Sequence, residues 1–109
     1  MTAGDNNRHQ FIYTLEARDP EKAGSQEGWT GEDHRVFDRH WAYLTRAAEE
    51  GMLLLAGRAQ DGIGPAIVII ECASAEEAQR FMENDPFVSS GFARGTLHPF
   101  RVALSRSGL

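Results

Sequence analysis

His40 and Asp85 are the two side chains in this sequence best suited to acid–base chemistry. An imidazole can give or take a proton near neutral pH, and a nearby carboxylate can fix its tautomer or act as the second acid–base group. The helical periodicity around His40 predicts that it lies at the edge of a buried helix face, where a side chain can reach a pocket. These two residues are therefore our candidate catalytic pair.

Each member of this pair also has a purely structural interpretation. His40 could be a helix-edge residue that makes one hydrogen bond. Asp85 precedes Pro86, and aspartate followed by proline is typical of a helix N-cap with proline in the first turn. The two residues are far apart in the chain, so the spacing alone does not establish that they meet.

The other reactive residues form no recognised motif. His34 falls about 120° around the predicted helix from His40, too far for the two to share a metal ion. The sequence contains no His-x-x-x-His, Cys-x-x-Cys, serine-nucleophile or phosphate-loop pattern. Cys72, the one cysteine, lies in an apolar segment and is expected to be a buried hydrophobe. We therefore expect an active site without a metal or a cofactor.

The helix that carries His40 is the most clearly predicted element. Apolar residues recur at spacings of four, three and four, which predicts one buried stripe: Phe37, Trp41, Leu44 and Ala48. Thr30 or Asp33 is the predicted N-cap. Gly51 is expected to end the helix in a left-handed C-cap conformation.

Alternating or continuous apolar runs predict four strands, and a capping box at Ser74 opens a second, shorter helix. The strands are predicted over 9–18, 52–59, 66–72 and 92–104, and the second helix over 74–84. This β-α-β-β-α-β order is the ferredoxin-like α+β arrangement, a four-stranded antiparallel sheet with two helices on one face. Pro99 indicates an edge position for the last strand or a bulge in it.

The two middle strands are apolar on both faces. The segments LLLA at 53–56 and AIVII at 66–70 do not alternate as a half-solvated antiparallel strand would. Because two helices can cover only one face of the sheet, the other face must meet an apolar surface. A homodimer that packs sheet against sheet is the simplest prediction.

Length and charge limit the remaining possibilities. With 109 residues the chain is long enough for one domain, with 1–8 and 105–109 predicted as loose termini. The net charge is −5 and the basic residues are scattered, so a nucleic-acid partner is not expected. No signal peptide and no apolar run of the ~20 residues needed to cross a bilayer are present, so no membrane partner and a cytoplasmic location are expected.

The connection over 19–31 is long for a strand-to-helix loop, and such loops often form lids or pocket walls. Trp29 within it could cover a ligand or fix the loop to the body of the domain. We favour the second alternative, because large aromatic side chains are usually packed.

Several segments together resemble the YCII-related (YciI-like) family: RHW at 39–41, GMLLLAG at 51–57, DPFV at 85–88 and the turn at Gly91. The likeness extends from the first strand to Val102. The resemblance implies a small ferredoxin-like domain that forms a dimeric α+β barrel. It also implies a His–Asp dyad in a pocket, at the positions of His40 and Asp85. At least one branch of the family performs dehydrochlorination of a chlorinated hydroxyquinol, whereas most members have no established substrate.

One departure from the family pattern concerns the substrate. Family members commonly continue LLLAG with proline, whereas this chain has Arg58. A guanidinium at that position could bind an anionic or phenolic substrate, or simply point to solvent. We name Arg58, Phe87 and Tyr13 as candidate substrate-binding residues.

The favoured hypothesis is a YciI-like enzyme, of lyase or dehydrochlorinase type, that uses His40 and Asp85 on a small cyclic organic molecule. The alternative is a non-catalytic dimeric module that binds a ligand or has a regulatory role. A third, weaker possibility is a cofactor-independent or haem-degrading monooxygenase, because dimeric ferredoxin-like barrels also support that chemistry.

Overall fold

The computed structural model describes residues 8–23 and 25–106. Most of the predicted loose termini, at 1–7 and 107–109, lies outside the described residues. The elements in chain order are β1 (His9–Ala17), a short 3-10 turn (Pro20–Lys22), α1 (Gly31–Glu49), β2 (Leu53–Arg58), β3 (Ala66–Cys72), α2 (Ala75–Asn84), α3 (Pro86–Ser89) and β4 (Ala93–Phe100). Within the described part of the chain, no helix has both the length and the apolar composition that a membrane crossing requires.

The four strands form one antiparallel sheet in the order β2-β3-β1-β4. This order confirms the predicted ferredoxin-like α+β fold. β4 is an edge strand, where Pro99 is tolerated because a missing N–H on the outer side breaks no ladder hydrogen bond. β4 ends at Phe100, earlier than predicted, because Phe100 pairs with Gln10 and β1 begins only one residue before Gln10.

The core lies between the sheet and the helices. Phe11, Tyr13 and Leu15 alternate along β1 and are buried, as their period of two predicts. Leu44 of α1 and Met82 of α2 belong to the same buried cluster, so both helices cover this face of the sheet. Residues on this covered face are therefore the ones that can reach the site described below.

The buried stripe of α1 differs from the prediction. The buried residues are Val36, His40, Leu44 and Ala47. Trp41 is 65% exposed, and Ala48 is exposed as well, so their predicted burial is wrong. The reason is that Phe37 and Trp41 lie beside a cavity rather than against the sheet. His40 consequently lies within the buried stripe and not at its edge.

The ends of α1 follow the sequence signals. Thr30 is the N-cap, and its hydroxyl accepts from the Asp33 amide while the Asp33 carboxylate accepts from the Thr30 amide. The two residues named as alternatives therefore form one reciprocal capping box. Gly51 follows the helix with a φ of 85°, the left-handed conformation that glycine adopts without a Cβ penalty.

One contact within the loop before α1 and several contacts to the rest of the domain hold this loop in place. The indole N–H of Trp29 donates to the carbonyl of Lys22 at 3.0 Å, and the Lys22 ammonium pairs with Asp33 at 2.8 Å. The Trp29 ring also packs against Phe37 and Phe92, with ring centroids 5.7 and 5.3 Å away. Trp29 therefore holds the loop on the domain, as favoured from the sequence, and it also forms part of a cavity wall.

Candidate active site

A cavity of about 500 Å³ lies between the middle of α1, the preceding loop, the end of β1 and the β2–β3 hairpin. One part of its wall is aromatic: Trp29, Phe37, Trp41, Phe87 and Phe92. His40 projects into it from α1. A concave and mainly apolar site with a few polar groups is typical of small-molecule binding.

His40 and Asp85 are in contact at this cavity. The His40 Nδ1 and the Asp85 Oδ1 are 2.6 Å apart. Only 8% of His40 is exposed and 0% of Asp85. Asp85 also serves as the N-cap of α3, because its Oδ1 accepts from the Phe87 amide at 3.0 Å. The structural and the chemical interpretations of Asp85 are thus compatible: the cap holds the carboxylate where His40 can reach it.

Three donors surround the Asp85 carboxylate. The Tyr13 hydroxyl donates to Oδ2 at 2.8 Å, and the Phe87 amide and His40 Nδ1 meet Oδ1. An ionised carboxylate only accepts hydrogen bonds, so this network assigns the proton of a neutral His40 to Nδ1. The other ring nitrogen, Nε2, then carries a lone pair.

The His40 Nε2 opens into the cavity. Nε2 has no hydrogen-bond partner among the described residues. Because none of their buried side-chain nitrogen or oxygen atoms lacks a partner, Nε2 is not a buried atom, and the open space beside His40 is the cavity. The Phe87 ring stacks on the imidazole, with centroids 3.9 Å apart and planes inclined by 13°. This stacking and the Asp85 hydrogen bond fix the ring, so a bound molecule meets a base of defined orientation.

Tyr13 does not lie where the substrate-binding prediction expects it. Its side chain is 0% exposed and lies behind Asp85, because odd-numbered residues of β1 point into the core. Burial, with a further contribution from the Asp85 charge, raises the pKa of the Tyr13 hydroxyl far above its ordinary value. The structure places Phe87 and Arg58, in contrast, on the cavity wall.

Arg58 is the cation at the cavity that has no acidic partner in the described part of the chain. It pairs with Ala66 in the sheet, and Ala66 pairs with Leu15, so the three side chains share the helix-covered face. Lys22 also lines the cavity, but its ammonium is engaged by Asp33. Arg58 is consequently the cation best placed to meet an anionic ligand.

The remaining candidates for chemistry are less suitable. Among the described residues, no three His, Cys, Asp or Glu side chains are grouped so that they could hold a metal ion. Cys72 is buried, as predicted, and burial raises the pKa of its thiol, which disfavours the nucleophilic thiolate. His34 and His98 are exposed.

Sequence reasoning missed two features of this site. The first is Phe92, which lies just before β4 and joins the aromatic wall beside Trp29, the loop residue already considered as a possible ligand cover. The second is the hydrogen bond from Tyr13 to Asp85. A signal for the second was present, because a tyrosine on the buried face of a strand requires a partner for its hydroxyl.

Comparisons with known proteins place this chain in a family. The sequence profile of the YCII-related domain matches residues 11–101. No curated protein is similar enough in sequence to count as a match.

Two solved structures are similar to this chain at low sequence identity, and the first of them shares its fold. 5-Chloro-2-hydroxyhydroquinone dehydrochlorinase from Burkholderia phenoliruptrix AC1100, in complex with 2,5-dihydroxybenzoquinone, superimposes with a TM-score of 0.60 at 20% identity, covering 84% of this chain and 93% of that chain. A cofactor-independent oxygenase from Streptomyces nogalater gives a TM-score of 0.48 at 14% identity, covering 93% and 98%.

Proposed function

The chain belongs to the YCII-related domain family, and on that premise we propose that it is an enzyme in which His40 and Asp85 perform acid–base chemistry on a small cyclic organic molecule. The observation that carries this proposal is the 2.6 Å contact between His40 Nδ1 and the buried Asp85 carboxylate, with Nε2 facing the cavity. This is the arrangement that general-base catalysis requires.

In the proposed reaction, Nε2 of His40 takes a proton from a ring hydroxyl of the substrate and returns it to the ring carbon that carries the leaving group, which gives the keto tautomer. Nε2 then takes a proton from a second hydroxyl: the electrons of that O–H bond form a second C=O bond, a ring double bond shifts, and a leaving group such as chloride departs with the electrons of its own bond. Asp85 stabilises the imidazolium that forms, because its Oδ1 remains hydrogen-bonded to Nδ1. The reaction is therefore an elimination of lyase or dehydrochlorinase type.

A flat ring is the substrate shape that the cavity favours. Its volume of about 500 Å³ suits a single small molecule, and its aromatic residues offer faces and edges for stacking. The structural neighbour from Burkholderia phenoliruptrix holds 2,5-dihydroxybenzoquinone. We therefore propose hydroxylated quinones and hydroquinones as the substrate class.

The test is to incubate the purified protein with chlorinated and chlorine-free hydroxyhydroquinones and to follow product formation and chloride release. The binding of 2,5-dihydroxybenzoquinone is measured in parallel by calorimetry. Chloride release from a chlorinated member supports the proposal, and the chlorine-free members, which have no chloride to lose, serve as the control. Tight binding with no conversion of any panel member would instead support the alternative of a non-catalytic ligand-binding module.

Arg58 is expected to contribute to binding when the ligand is anionic. Replacing Arg58 with glutamine should raise the Kd for 2,5-dihydroxybenzoquinone about tenfold or more, because a charge-assisted hydrogen bond is lost. The matched control is Arg80→Gln, at an exposed position of α2 outside the cavity. Equal Kd values for the two variants in calorimetry would show that Arg58 does not contribute to ligand binding.

We also propose that a second copy of this chain covers the open face of the sheet. Leu55 pairs with Ile69, and Ile69 pairs with Ile12, so apolar side chains run across three strands on the face that the helices leave uncovered. Ile67 lies on the same face, two residues from Ile69. Ile69 is already only 8% exposed, and packing two such faces together would bury the remaining exposed surface of Ile12, Leu55 and Ile67 in a homodimer.

The dimer is tested by the substitution Ile67→Asp, which places a charge in the proposed interface. This variant is expected to be monomeric in size-exclusion chromatography with light scattering, whereas the unmodified chain is dimeric. Ile63→Asp is the control, since Ile63 is 89% exposed in the β2–β3 turn. A monomeric unmodified chain, or an Ile67→Asp variant that stays dimeric, would contradict the proposal.

A further inference from the structure

We propose that Tyr13 is a positioning residue whose hydroxyl holds the Asp85 carboxylate and thereby keeps the His40 proton on Nδ1. This inference rests on the proposed function for its kinetic consequence, but its structural part can be tested without a substrate. Tyr13 does not line the cavity, so it acts through Asp85 and not on the bound molecule.

The two carboxylate oxygens of Asp85 have different hydrogen-bond partners. Oδ1 meets His40 Nδ1 at 2.6 Å and the Phe87 amide at 3.0 Å. Oδ2 accepts from Tyr13 at 2.8 Å, and no other described residue donates to it. Because the carboxylate is fully buried, loss of this donor would leave Oδ2 without a partner in a site that excludes water.

A carboxylate with an unpaired buried oxygen can reduce the cost of that unpaired atom in two ways. It can rotate so that Oδ2 approaches another donor, or it can hold a proton of its own. Both responses weaken the hydrogen bond from Nδ1 to Oδ1. The neutral imidazole can then carry its proton on Nε2, where the lone pair needed by a general base is lost.

The Tyr13 hydroxyl is well suited to this task. Burial, together with the charge of Asp85, raises the pKa of Tyr13, so the phenol keeps its proton and remains a donor. The ring packs against Phe81, with centroids 6.2 Å apart, and this contact limits its movement. Tyr13 lies in the middle of β1, an interior strand of the sheet, so its hydroxyl links this strand to Asp85.

The chain supplies a matched pair of variants for the test. Tyr13→Phe and Tyr43→Phe each remove one hydroxyl group. Both hydroxyls donate a hydrogen bond of 2.8 Å, and both tyrosine rings pack against Phe81. The Tyr43 hydroxyl donates to the Phe81 carbonyl and not to Asp85. A loss that arises only from a weakened core should therefore appear in both variants.

The first readout is the tautomer of His40, from the ¹⁵N chemical shifts of its two ring nitrogens in labelled protein. Tyr13→Phe is expected to add a population with the proton on Nε2, whereas Tyr43→Phe keeps the Nδ1 form. On a substrate that the unmodified protein converts, Tyr13→Phe should lower kcat about tenfold to a hundredfold with KM changed less than about twofold.

An unchanged His40 tautomer in Tyr13→Phe, or an equal change in Tyr43→Phe, would overturn the positioning role. Thermal unfolding of both variants shows whether each is folded at the temperature of the measurement. If the unmodified protein converts no compound but Tyr13→Phe still alters the tautomer, the positioning role stands and the proposed enzyme is rejected instead.

Discussion

Replacing His40 with glutamine is expected to lower turnover about 10²- to 10⁴-fold while the protein stays folded. Glutamine has a similar length, and its amide can still donate to the Asp85 carboxylate. It offers no nitrogen that can take a proton near neutral pH. The loss should appear in kcat, because the cavity and its aromatic wall remain in place to bind the substrate.

The measurement is steady-state kinetics on a compound that the unmodified protein converts, with circular dichroism to verify folding. His9→Gln is the matched control, since His9 is exposed at the start of β1 and does not line the cavity. Turnover by His40→Gln within threefold of the unmodified protein would refute a proton-transfer role for the imidazole.

The fold was predictable from the sequence because each element carries a local signal. Phe11, Tyr13 and Leu15 show the period of two that marks β1, and the capping residues of α1 and α2 lie where their helices begin. The order of elements then restricts the topology to few choices. Such signals act over a few residues, and reading them requires no knowledge of distant contacts.

The orientation of α1 was not fully predictable for the opposite reason. Periodicity reports which residues are apolar, but it does not report what lies against them. Phe37 and Trp41 are apolar because they border a cavity, whereas His40 is polar and yet lies in the buried stripe. The cavity is formed by parts of the chain that no local window includes.

Asp85 shows the same limit at the site. Its neighbours in sequence indicate an N-cap, and its contacts with His40 and Tyr13 depend on residues 45 and 72 positions away. The two interpretations, structural and chemical, looked like alternatives in the sequence. They coexist in the structure because a carboxylate has two oxygens and several acceptor positions.

Replacing Asp85 with alanine is expected to have the largest effect on stability, a loss of about 3–5 kcal/mol in the free energy of unfolding. The substitution leaves the Tyr13 hydroxyl and the Phe87 amide without their acceptor, and it removes the N-cap of α3. It also leaves a space in a fully buried site. Urea denaturation of the variant and the unmodified chain measures this difference.

Two further aspartate variants show which part of that loss comes from burial. Asp61 accepts from two backbone amides at 2.8 and 2.9 Å in an exposed turn, so Asp61→Ala should lower the free energy of unfolding much less than Asp85→Ala does. Asp85→Asn keeps the volume and one acceptor, so it should stay folded. Its amide oxygen takes the place of Oδ1, which accepts from both the Phe87 amide and Nδ1, and its NH2 group donates to the Tyr13 hydroxyl, so the tautomer is kept. The negative charge that stabilises the imidazolium is lost, and turnover should fall about tenfold or more. If Asp85→Ala costs no more than Asp61→Ala, the buried network does not hold the site together. If Asp85→Asn keeps its turnover, the charge of the carboxylate does not assist proton transfer.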